Sequence, residues 1–260
     1  MSEEKSLLNL TIENNVGIIK LNNPPVNVLN RPLLEQLDRL IDEVKDNSEI
    51  KVIVLTGEGS AFAAGADIKS MPELKADTGE QMALYGQKIF SKLENLDKVS
   101  ICAINGVALG GGLELAMSCD IRIISEKAKV GQPEINLGII PGYGGTQRLT
   151  RLVGKPKAKE IVLTGDNLSA QEAYEVGIAT KITSPENLMT MTLELANKIA
   201  SKGQVAVKAS KKAIDEGFEQ NLNDALKTEA NYFGLVCDSE DKNEGVIAFM
   251  EKRKPNFKDK

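Results

Sequence analysis

Apolar positions in the first half of the chain follow two alternating patterns. Residues 16–21 have the composition of a strand, and the continuous apolar run at residues 52–55 is typical of a strand buried on both faces of a parallel sheet. A Pro-Pro turn at Pro24 and Pro25 follows the first strand. Residues 31–44 then repeat apolar side chains at helical spacing, which predicts a helix whose buried face carries Leu33, Leu34, Leu37, Leu40, Ile41 and Val44.

The same alternation continues to about residue 124. It predicts a helix over residues 79–96, a strand over 99–104, a short helix over 113–117 and a strand over 120–124. Strand, helix and strand at this spacing indicate right-handed crossover connections in a mostly parallel sheet.

Beyond residue 142 the pattern becomes mainly helical. Helices are predicted over residues 143–153, 156–163, 169–175 and from 184 to the end, with a short strand over 178–182. Ser169 and Glu172 have the spacing of a capping box. The chain is therefore predicted to be an α/β protein with a sheet-rich core, residues 1–195, and a helical C-terminal region, residues 196–260.

The absence of histidine narrows the chemistry more than any other feature of the composition. None of the 260 residues is histidine, which excludes Ser-His-Asp and Cys-His hydrolases and every metal site that needs an imidazole. Acid–base catalysis would have to use Asp, Glu, Lys, Tyr or Cys. The net charge of −5 and the lack of tryptophan argue against a nucleic-acid partner.

The N-terminal residues, the lack of a long apolar stretch and the cysteines favour a cytoplasmic location. Residues 1–5 contain neither an apolar signal core nor a basic presequence, and no apolar stretch approaches the ~20 residues of a membrane span. Cys102 and Cys119 lie in apolar runs, where buried, inert thiols are expected rather than ligands or nucleophiles. The sequence therefore predicts a soluble cytoplasmic protein that does not bind or span a membrane.

Glycine and alanine are concentrated in three loops, at residues 63–66, 110–112 and 141–145. None has the spacing of a phosphate-binding loop or of a dinucleotide-binding G-x-G-x-x-G motif. One interpretation is that these glycines only form tight turns or allow close packing. The other is that the backbone N–H groups of Ala66 and Gly111 converge on one point, as in an oxyanion hole. The spacing leaves both interpretations open.

Two glutamates accompany the glycine-rich loops. Glu114 lies in the first turn of an otherwise apolar predicted helix, and Glu134 lies in a loop between apolar segments. One interpretation is that Glu114 complements the helix dipole and that Glu134 is an ordinary surface residue. Alternatively, both emerge from the same region of the sheet and share the acid and base roles, because two nearby carboxylates drive their pKa values apart.

Four segments in order resemble the enoyl-CoA hydratase (crotonase) family. They are residues 61–69, 103–116, 131–149 and 249–257, which include the three glycine-rich loops and both glutamates. The resemblance extends over nearly the whole chain. It implies a crotonase-like (ClpP/crotonase) fold, a spiral of ββα units followed by a helical C-terminal trimerisation region.

The resemblance also implies roles for individual residues. Ala66 and Gly111 would hold the thioester oxygen of an acyl-CoA, and Glu114 and Glu134 would hold a water molecule between them. Further contacts with substrate or coenzyme A are expected from Ala64, Asp67, Ile68, Lys69, Gly142, Phe249 and Lys252. Phe249 and Lys252 match positions that approach the nucleotide of a neighbouring subunit. Ser60 stands where some relatives carry a phosphate-binding lysine, which puts the contact with the 3′-phosphate in doubt.

The activity implied by the resemblance is reversible hydration of trans-2-enoyl-CoA to 3-hydroxyacyl-CoA on short chains such as crotonyl-CoA. No separate cofactor and no metal are expected, since coenzyme A belongs to the substrate, and the family suggests a homohexamer of two trimers. A Δ3,Δ2-enoyl-CoA isomerase or another acyl-CoA enzyme of the family is the first alternative. A member that binds RNA is a remote alternative, supported only by the basic residues near the C-terminus.

Overall fold

The computed structural model describes residues 6–260, apart from the side chain of Ser70. The prediction that the chain has no targeting segment concerns residues 1–5, which lie outside the described residues. Within residues 6–260 the strands are β1 (Leu8–Glu13), β2 (Val16–Leu21), β3 (Val52–Gly57), β4 (Ala61–Ala63), β5 (Val99–Ile104), β6 (Val107–Leu109), β7 (Ile121–Ser125), β8 (Lys129–Gly131), β9 (Asn167–Ser169) and β10 (Lys181–Thr183). The α-helices are α1 (Arg31–Asp46), α2 (Ala76–Glu94), α3 (Gly111–Met117), α4 (Gly145–Val153), α5 (Lys155–Thr164), α6 (Ala170–Glu175), α7 (Leu188–Ala200), α8 (Gln204–Phe218), α9 (Leu222–Cys237) and α10 (Glu240–Met250). Short 3-10 helices span Ile68–Glu73, Pro133–Leu137 and Pro185–Asn187.

The strands form two sheets. The larger has the order β1-β2-β3-β5-β7-β10, and all of its neighbours are parallel except β1 and β2. The smaller has the order β4-β6-β8-β9 and is parallel except for β8 and β9. Each of three successive units adds one strand to each sheet and then a helix: β3-β4-α2, β5-β6-α3 and β7-β8-α4. The predicted parallel sheet and the implied ββα spiral are both confirmed.

The central strands of the larger sheet are covered on both faces, which explains their continuous apolar runs. In β3, Ile53 and Leu55 belong to the main core with α1, α2 and α3, whereas Val52 and Val54 belong to a second core. This division follows from the alternation of side chains along a strand. The second core includes Leu188, Ala196 and Ala200 of α7.

The start of the C-terminal helical region is attached to the sheet. Helix α7 runs across residue 195, so the predicted boundary falls inside a continuous helix, and the division into two domains stays a prediction. On α8, Lys211, whose side chain is 8% exposed, pairs with Asp120 at 2.9 Å, while Lys208 and Lys212 pair with Asp97. The last residues pack back against α10, since Lys258 N donates to Asp241 Oδ1 at 2.6 Å.

Local predictions agree with the structure to different degrees. The capping box is confirmed, because Ser169 N donates to Glu172 Oε2 at 2.8 Å and Glu172 N donates to Ser169 Oγ at 3.3 Å. Cys102 and Cys119 are buried thiols. The strand predicted over residues 178–182 is shorter and begins later, at Lys181. None of the helices in residues 6–260 is long and apolar enough to cross a lipid bilayer.

Candidate active site

The loop after β4 and the beginning of α3 bring two backbone amides side by side. A Cβ built at Gly111 would lie 3.4 Å from the nitrogen of Ala66, and one built at Gly65 would lie 3.7 Å from the nitrogen of Gly111. Within residues 6–260, neither the Ala66 nor the Gly111 N–H donates a backbone hydrogen bond. Two adjacent donors without a protein acceptor are suited to holding one oxygen atom that gains negative charge.

The backbone around these amides requires glycine. Gly65 has φ of +102°, and Gly110, which precedes α3, has φ of +51°. A side chain at residue 65 would also come within 3.0 Å of the Leu109 carbonyl oxygen. Both conformations are strained for other residues, so these glycines do more than shorten a loop. Helix α3 begins at Gly111, two residues before the start of the helix predicted over residues 113–117.

Glu114 is held at the inner end of this site by the turn that precedes α4. Its side chain is buried, and its Oε1 atom accepts hydrogen bonds from Tyr143 N at 2.8 Å and from Gly145 N at 2.6 Å. The second oxygen is not used by the turn. Helix α3 therefore presents Glu114 in one orientation, fixed by two backbone donors.

Glu134 approaches from the neighbouring unit. It lies on the 3-10 helix Pro133–Leu137, where the sequence predicted a loop. A Cβ at Gly110 would come 2.7 Å from its Oε1 atom, so the carboxylate packs against the bare backbone of Gly110. Glu134 is thus close to Gly110, the residue before the helix that carries Glu114.

Gln132 binds one carboxylate and lies near the other. With its amide nitrogen directed toward acceptors, Gln132 donates to both oxygens of Glu134 at 3.1 Å. Its side-chain amide also lies near Glu114. A Cβ built at Gly145 would be 2.8 Å from the Gln132 amide and 2.9 Å from Glu114 Oε1. Gln132 is completely buried, and it was not recognised in the sequence, where only its adjacency to Pro133 and Glu134 distinguished it.

Burial gives both glutamates pKa values close to neutrality. It raises the pKa of Glu114 from 4.5 to about 7, against the opposing effect of the Gly145 N–H and with a further increase from the charge of Glu134. Burial likewise raises the pKa of Glu134 to about 7. Near pH 7 the pair can therefore hold a single proton, so that one carboxyl group is an acid while the other is a base.

Tyr143 forms a wall of the site that the sequence did not reveal. Its ring lies next to Gly111, since a Cβ there would come 3.2 Å from Tyr143 Cδ2, and it packs edge-on against Phe90 at 5.5 Å. Gly86 of α2 leaves room for the same ring. The glycine-rich composition of residues 141–145 indicated a tight turn here, but only the fold shows that it supports Glu114.

The other predicted contact residues lie in two groups. Ala64 and Asp67 lie in the loop after β4, Ile68 and Lys69 begin the 3-10 helix Ile68–Glu73, and Gly142 lies in the turn before α4. Lys69 is exposed, and its backbone N–H donates to Asp67 Oδ1 at 3.1 Å. Gly142 is fixed through its carbonyl oxygen, which accepts from Gln87 Nε2 at 2.8 Å.

Phe249 and Lys252 lie together at the end of α10, where Lys252 N donates to the Phe249 carbonyl oxygen at 3.2 Å. Both side chains are exposed, Phe249 by 84%. None of the contacts described for residues 6–260 joins either of them to the glutamates. Their predicted role toward a neighbouring subunit stays a prediction.

Known proteins resemble this chain over nearly its whole length. Residues 11–260 match the family model described as enoyl-CoA hydratase/isomerase. The chain is 46% identical to the short-chain-enoyl-CoA hydratase of Clostridium acetobutylicum, over 93% of this chain and 94% of that protein. It is 43% identical to the crotonyl-CoA hydratase of Syntrophomonas wolfei, over 94% and 95% of the two chains. The crystal structure of an enoyl-CoA hydratase from Bacillus anthracis superimposes with a TM-score of 0.94 at 38% identity, covering 98% of this chain and 100% of that chain.

Proposed function

This chain belongs to the enoyl-CoA hydratase/isomerase family, and we propose that it is an enzyme that adds water reversibly to trans-2-enoyl-CoA thioesters. The product is a 3-hydroxyacyl-CoA, and the reverse reaction is its dehydration. The observation that carries the proposal is the pair of Glu114 and Glu134, both with pKa values raised to about 7 by burial, near the amides of Ala66 and Gly111.

The arrangement supplies each group that the reaction needs. The ionised glutamate takes a proton from water as the water oxygen bonds to the β-carbon, and the protonated glutamate gives a proton to the α-carbon. Electron density moves onto the thioester oxygen during the addition, where the N–H groups of Ala66 and Gly111 stabilise it. The net change is the addition of one water molecule.

No cofactor or metal is needed by this scheme, because the chain itself provides the acid, the base and the oxyanion donors. Coenzyme A enters as part of the substrate. We propose that Ala64, Asp67, Ile68, Lys69 and Gly142 contact the thioester and the adjoining pantetheine, since they lie in the segments that surround the two amides.

A preference for short acyl chains is supported by the names of the two relatives above and by the buried Tyr143 ring beside Gly111. A ring in that position reduces the space next to the thioester. Rates of hydration across acyl chains of increasing length will test this preference, and a maximum with long chains would contradict it.

We further propose that the enzyme assembles as a hexamer of two trimers. Large apolar side chains are exposed on the C-terminal helices, including Leu222, Leu226, Phe233, Leu235, Phe249 and Met250. Exposed apolar surface of this extent is characteristic of an interface between subunits. Native mass spectrometry gives the subunit number directly, and a stable monomer at working concentration would contradict the proposal.

Phe249 and Lys252 are assigned to the nucleotide of a neighbouring subunit within that assembly. A Lys252→Ala substitution is then expected to raise KM for the acyl-CoA and to leave kcat nearly unchanged, because the charge contacts a part of the substrate remote from the reaction. An unchanged KM would remove Lys252 from the proposed site.

Hydration is distinguished from its first alternative by a direct comparison of two substrates. The purified enzyme should add water to crotonyl-CoA, measured as loss of the conjugated enoyl thioester absorbance, faster than it moves the double bond of a 3-enoyl-CoA. Faster double-bond migration with negligible hydration would instead identify an isomerase. The presence of two glutamates favours hydration, because this reaction needs a base that takes a proton from the added water and an acid that protonates the α-carbon.

A further inference from the structure

The guanidinium of Arg148 joins the turn that holds Glu114 to the end of α2. Its Nη1 atom donates to the carbonyl oxygen of Tyr143 at 2.9 Å. Its Nη2 and Nε atoms donate to the carboxylate of Glu94, at 2.7 Å for Nη2 and Oε2 and 3.1 Å for Nε and Oε1. The side chain of Arg148 is only 12% exposed, so this pair is more than a surface contact.

The contact with Tyr143 falls at the centre of the turn. The Tyr143 carbonyl lies in the chain between the two N–H groups, Tyr143 N and Gly145 N, that bind Glu114 Oε1. A group that holds this carbonyl therefore restrains the peptide that joins the two donors. The turn also depends on Gly144, which has φ of +112° and whose Cβ would overlap Arg148 Nη1.

We propose that Arg148, held by Glu94, is a positioning residue for the reaction: it fixes the Tyr143–Gly145 turn and thereby the orientation of the Glu114 carboxylate. Arg148 acts through the turn and makes no contact with Glu114 itself in the hydrogen bonds described. This inference rests on the proposed hydratase function.

The positive charge of Arg148 also acts on Glu114 from outside the site. The charged and titratable groups that influence the Glu114 carboxyl are Glu134 from the 3-10 helix, Tyr143 from the turn and Arg148 from α4. Arg148 lowers the pKa of Glu114, whereas Glu134 raises it. Loss of Arg148 is therefore expected to raise this pKa, whichever of the two roles Glu114 performs.

Arg151 provides a matched control on the same helix. It pairs with Glu219 at 3.0 Å and borders the same polar cavity of about 630 Å³ as Arg148. Its other hydrogen bonds go to Gln147, and none goes to the turn. The substitutions Arg148→Gln and Arg151→Gln each remove one cation from α4 and one ion pair with a glutamate, but only the first releases the turn.

The test compares kcat, KM and the pH profile of crotonyl-CoA hydration for the wild type, R148Q, R151Q and E94Q. We expect R148Q to lower kcat by about tenfold or more, with KM within about twofold, because a misplaced catalytic group costs rate more than binding. The limb of the pH profile that belongs to Glu114 should move to higher pH in R148Q and stay in place in R151Q. E94Q keeps the cation, so a smaller loss of kcat is expected without that movement.

Equal kcat and equal pH profiles for R148Q and R151Q would overturn the proposal. If R148Q does not fold, E94Q decides the matter, and an unchanged kcat in that variant would overturn the proposal. A wild type that does not hydrate crotonyl-CoA would contradict the proposed function instead. In that case the titration of ¹³C-labelled Glu114, which needs no substrate, decides the matter: an upward shift in R148Q and not in R151Q supports the role of Arg148, and equal titrations overturn it.

Discussion

The carboxylate of Glu134 occupies the space that a side chain on residue 110 would need, since a Cβ at Gly110 would come 2.7 Å from Glu134 Oε1. Gly110 lies at the start of the helix that carries Gly111 and Glu114. The glycine therefore allows the two halves of the candidate site to approach each other.

A Gly110→Ala substitution should separate them. We expect kcat for crotonyl-CoA hydration to fall by about 10²-fold, because Glu134 would be displaced by the new methyl group. Gly138→Ala is the control, since Gly138 also has positive φ, +72°, but its Cβ would meet open space. Both variants should lose about 1–3 kcal/mol of stability from backbone strain, measured by urea unfolding. Equal activities of the two variants would show that the contact with Glu134 does not matter.

The pH dependence should report the paired carboxylates. With both pKa values raised to about 7, kcat/KM is expected to peak near pH 7 and to fall on both sides. At low pH both groups are protonated and the base is lost, and at high pH both are ionised and the acid is lost. Because the chain contains no histidine, the acidic limb cannot be assigned to an imidazole. A rate constant that does not vary between about pH 5 and 9 would contradict this assignment.

Stability should respond to the same titration with a defined sign. Glu114 keeps its proton up to about pH 7 in the folded state, whereas the unfolded chain releases it near 4.5, so the free energy of unfolding decreases as the pH rises between these values. A Glu114→Gln variant lacks this loss, which is on the order of 3 kcal/mol for Glu114. Its stability relative to the wild type, measured by denaturant unfolding, should therefore increase from about pH 4.5 to 7. A constant difference would mean that burial does not raise the pKa of Glu114.

Two glycines of α2 provide a test of the packing behind the turn. A Cβ at Gly86 would overlap the Tyr143 ring, whereas a Cβ at Gly79 would meet nothing within 4 Å. Gly79→Ala is expected to raise stability by up to about 1 kcal/mol, the usual gain from replacing glycine in a helix. Gly86→Ala should lower stability by about 1–3 kcal/mol and also lower kcat, because it displaces the residue whose N–H binds Glu114. Thermal unfolding and hydration rates of the two variants check both parts, and a stabilised, fully active G86A would refute the packing argument.

The attachment of α8 to the core should depend on one aspartate more than on another. Asp120 pairs with Lys211, whose side chain is largely covered, and accepts from Ser100 N at 2.7 Å, whereas Asp97 pairs with more exposed lysines. Asp120→Ala is expected to cost about 3 kcal/mol, since it leaves a largely covered ammonium without its partner. Asp97→Ala should cost at most about 1 kcal/mol. Equal losses in urea unfolding would contradict the special role of Asp120.

The long elements were predictable because their periodicity is recorded in the sequence. Helix α1 buries one stripe of apolar side chains, so its apolar residues recur at helical spacing. Strand β3 is buried on both faces, so its apolar residues are continuous. Strands β4, β6 and β8 were not predicted, because three residues are too short to show alternation. The repeated ββα unit is likewise a feature of the backbone, and no repeated residue pattern in the sequence indicated it.

In the candidate site, the residues that resemble a family motif were identified, and those that act through the fold were not. Glu114, Glu134, Ala66 and Gly111 lie in recognisable segments. Gln132 and Arg148 lie in one of the same segments, but their roles arise from contacts that the fold creates, such as the ion pair between Arg148 and Glu94. The pKa values of the glutamates depend on burial, which a sequence pattern does not quantify.

The requirement for both glutamates is the central claim, and single-turnover hydration of crotonyl-CoA by E114Q, E134Q and the double variant tests it most directly. Each single substitution should lower the rate by about 10²–10⁴-fold, and the double variant should lose much less than the product of the two effects, because the pair acts as one unit. Circular dichroism confirms that each variant is folded. A folded E114Q or E134Q that hydrates crotonyl-CoA at nearly the wild-type rate would contradict the account.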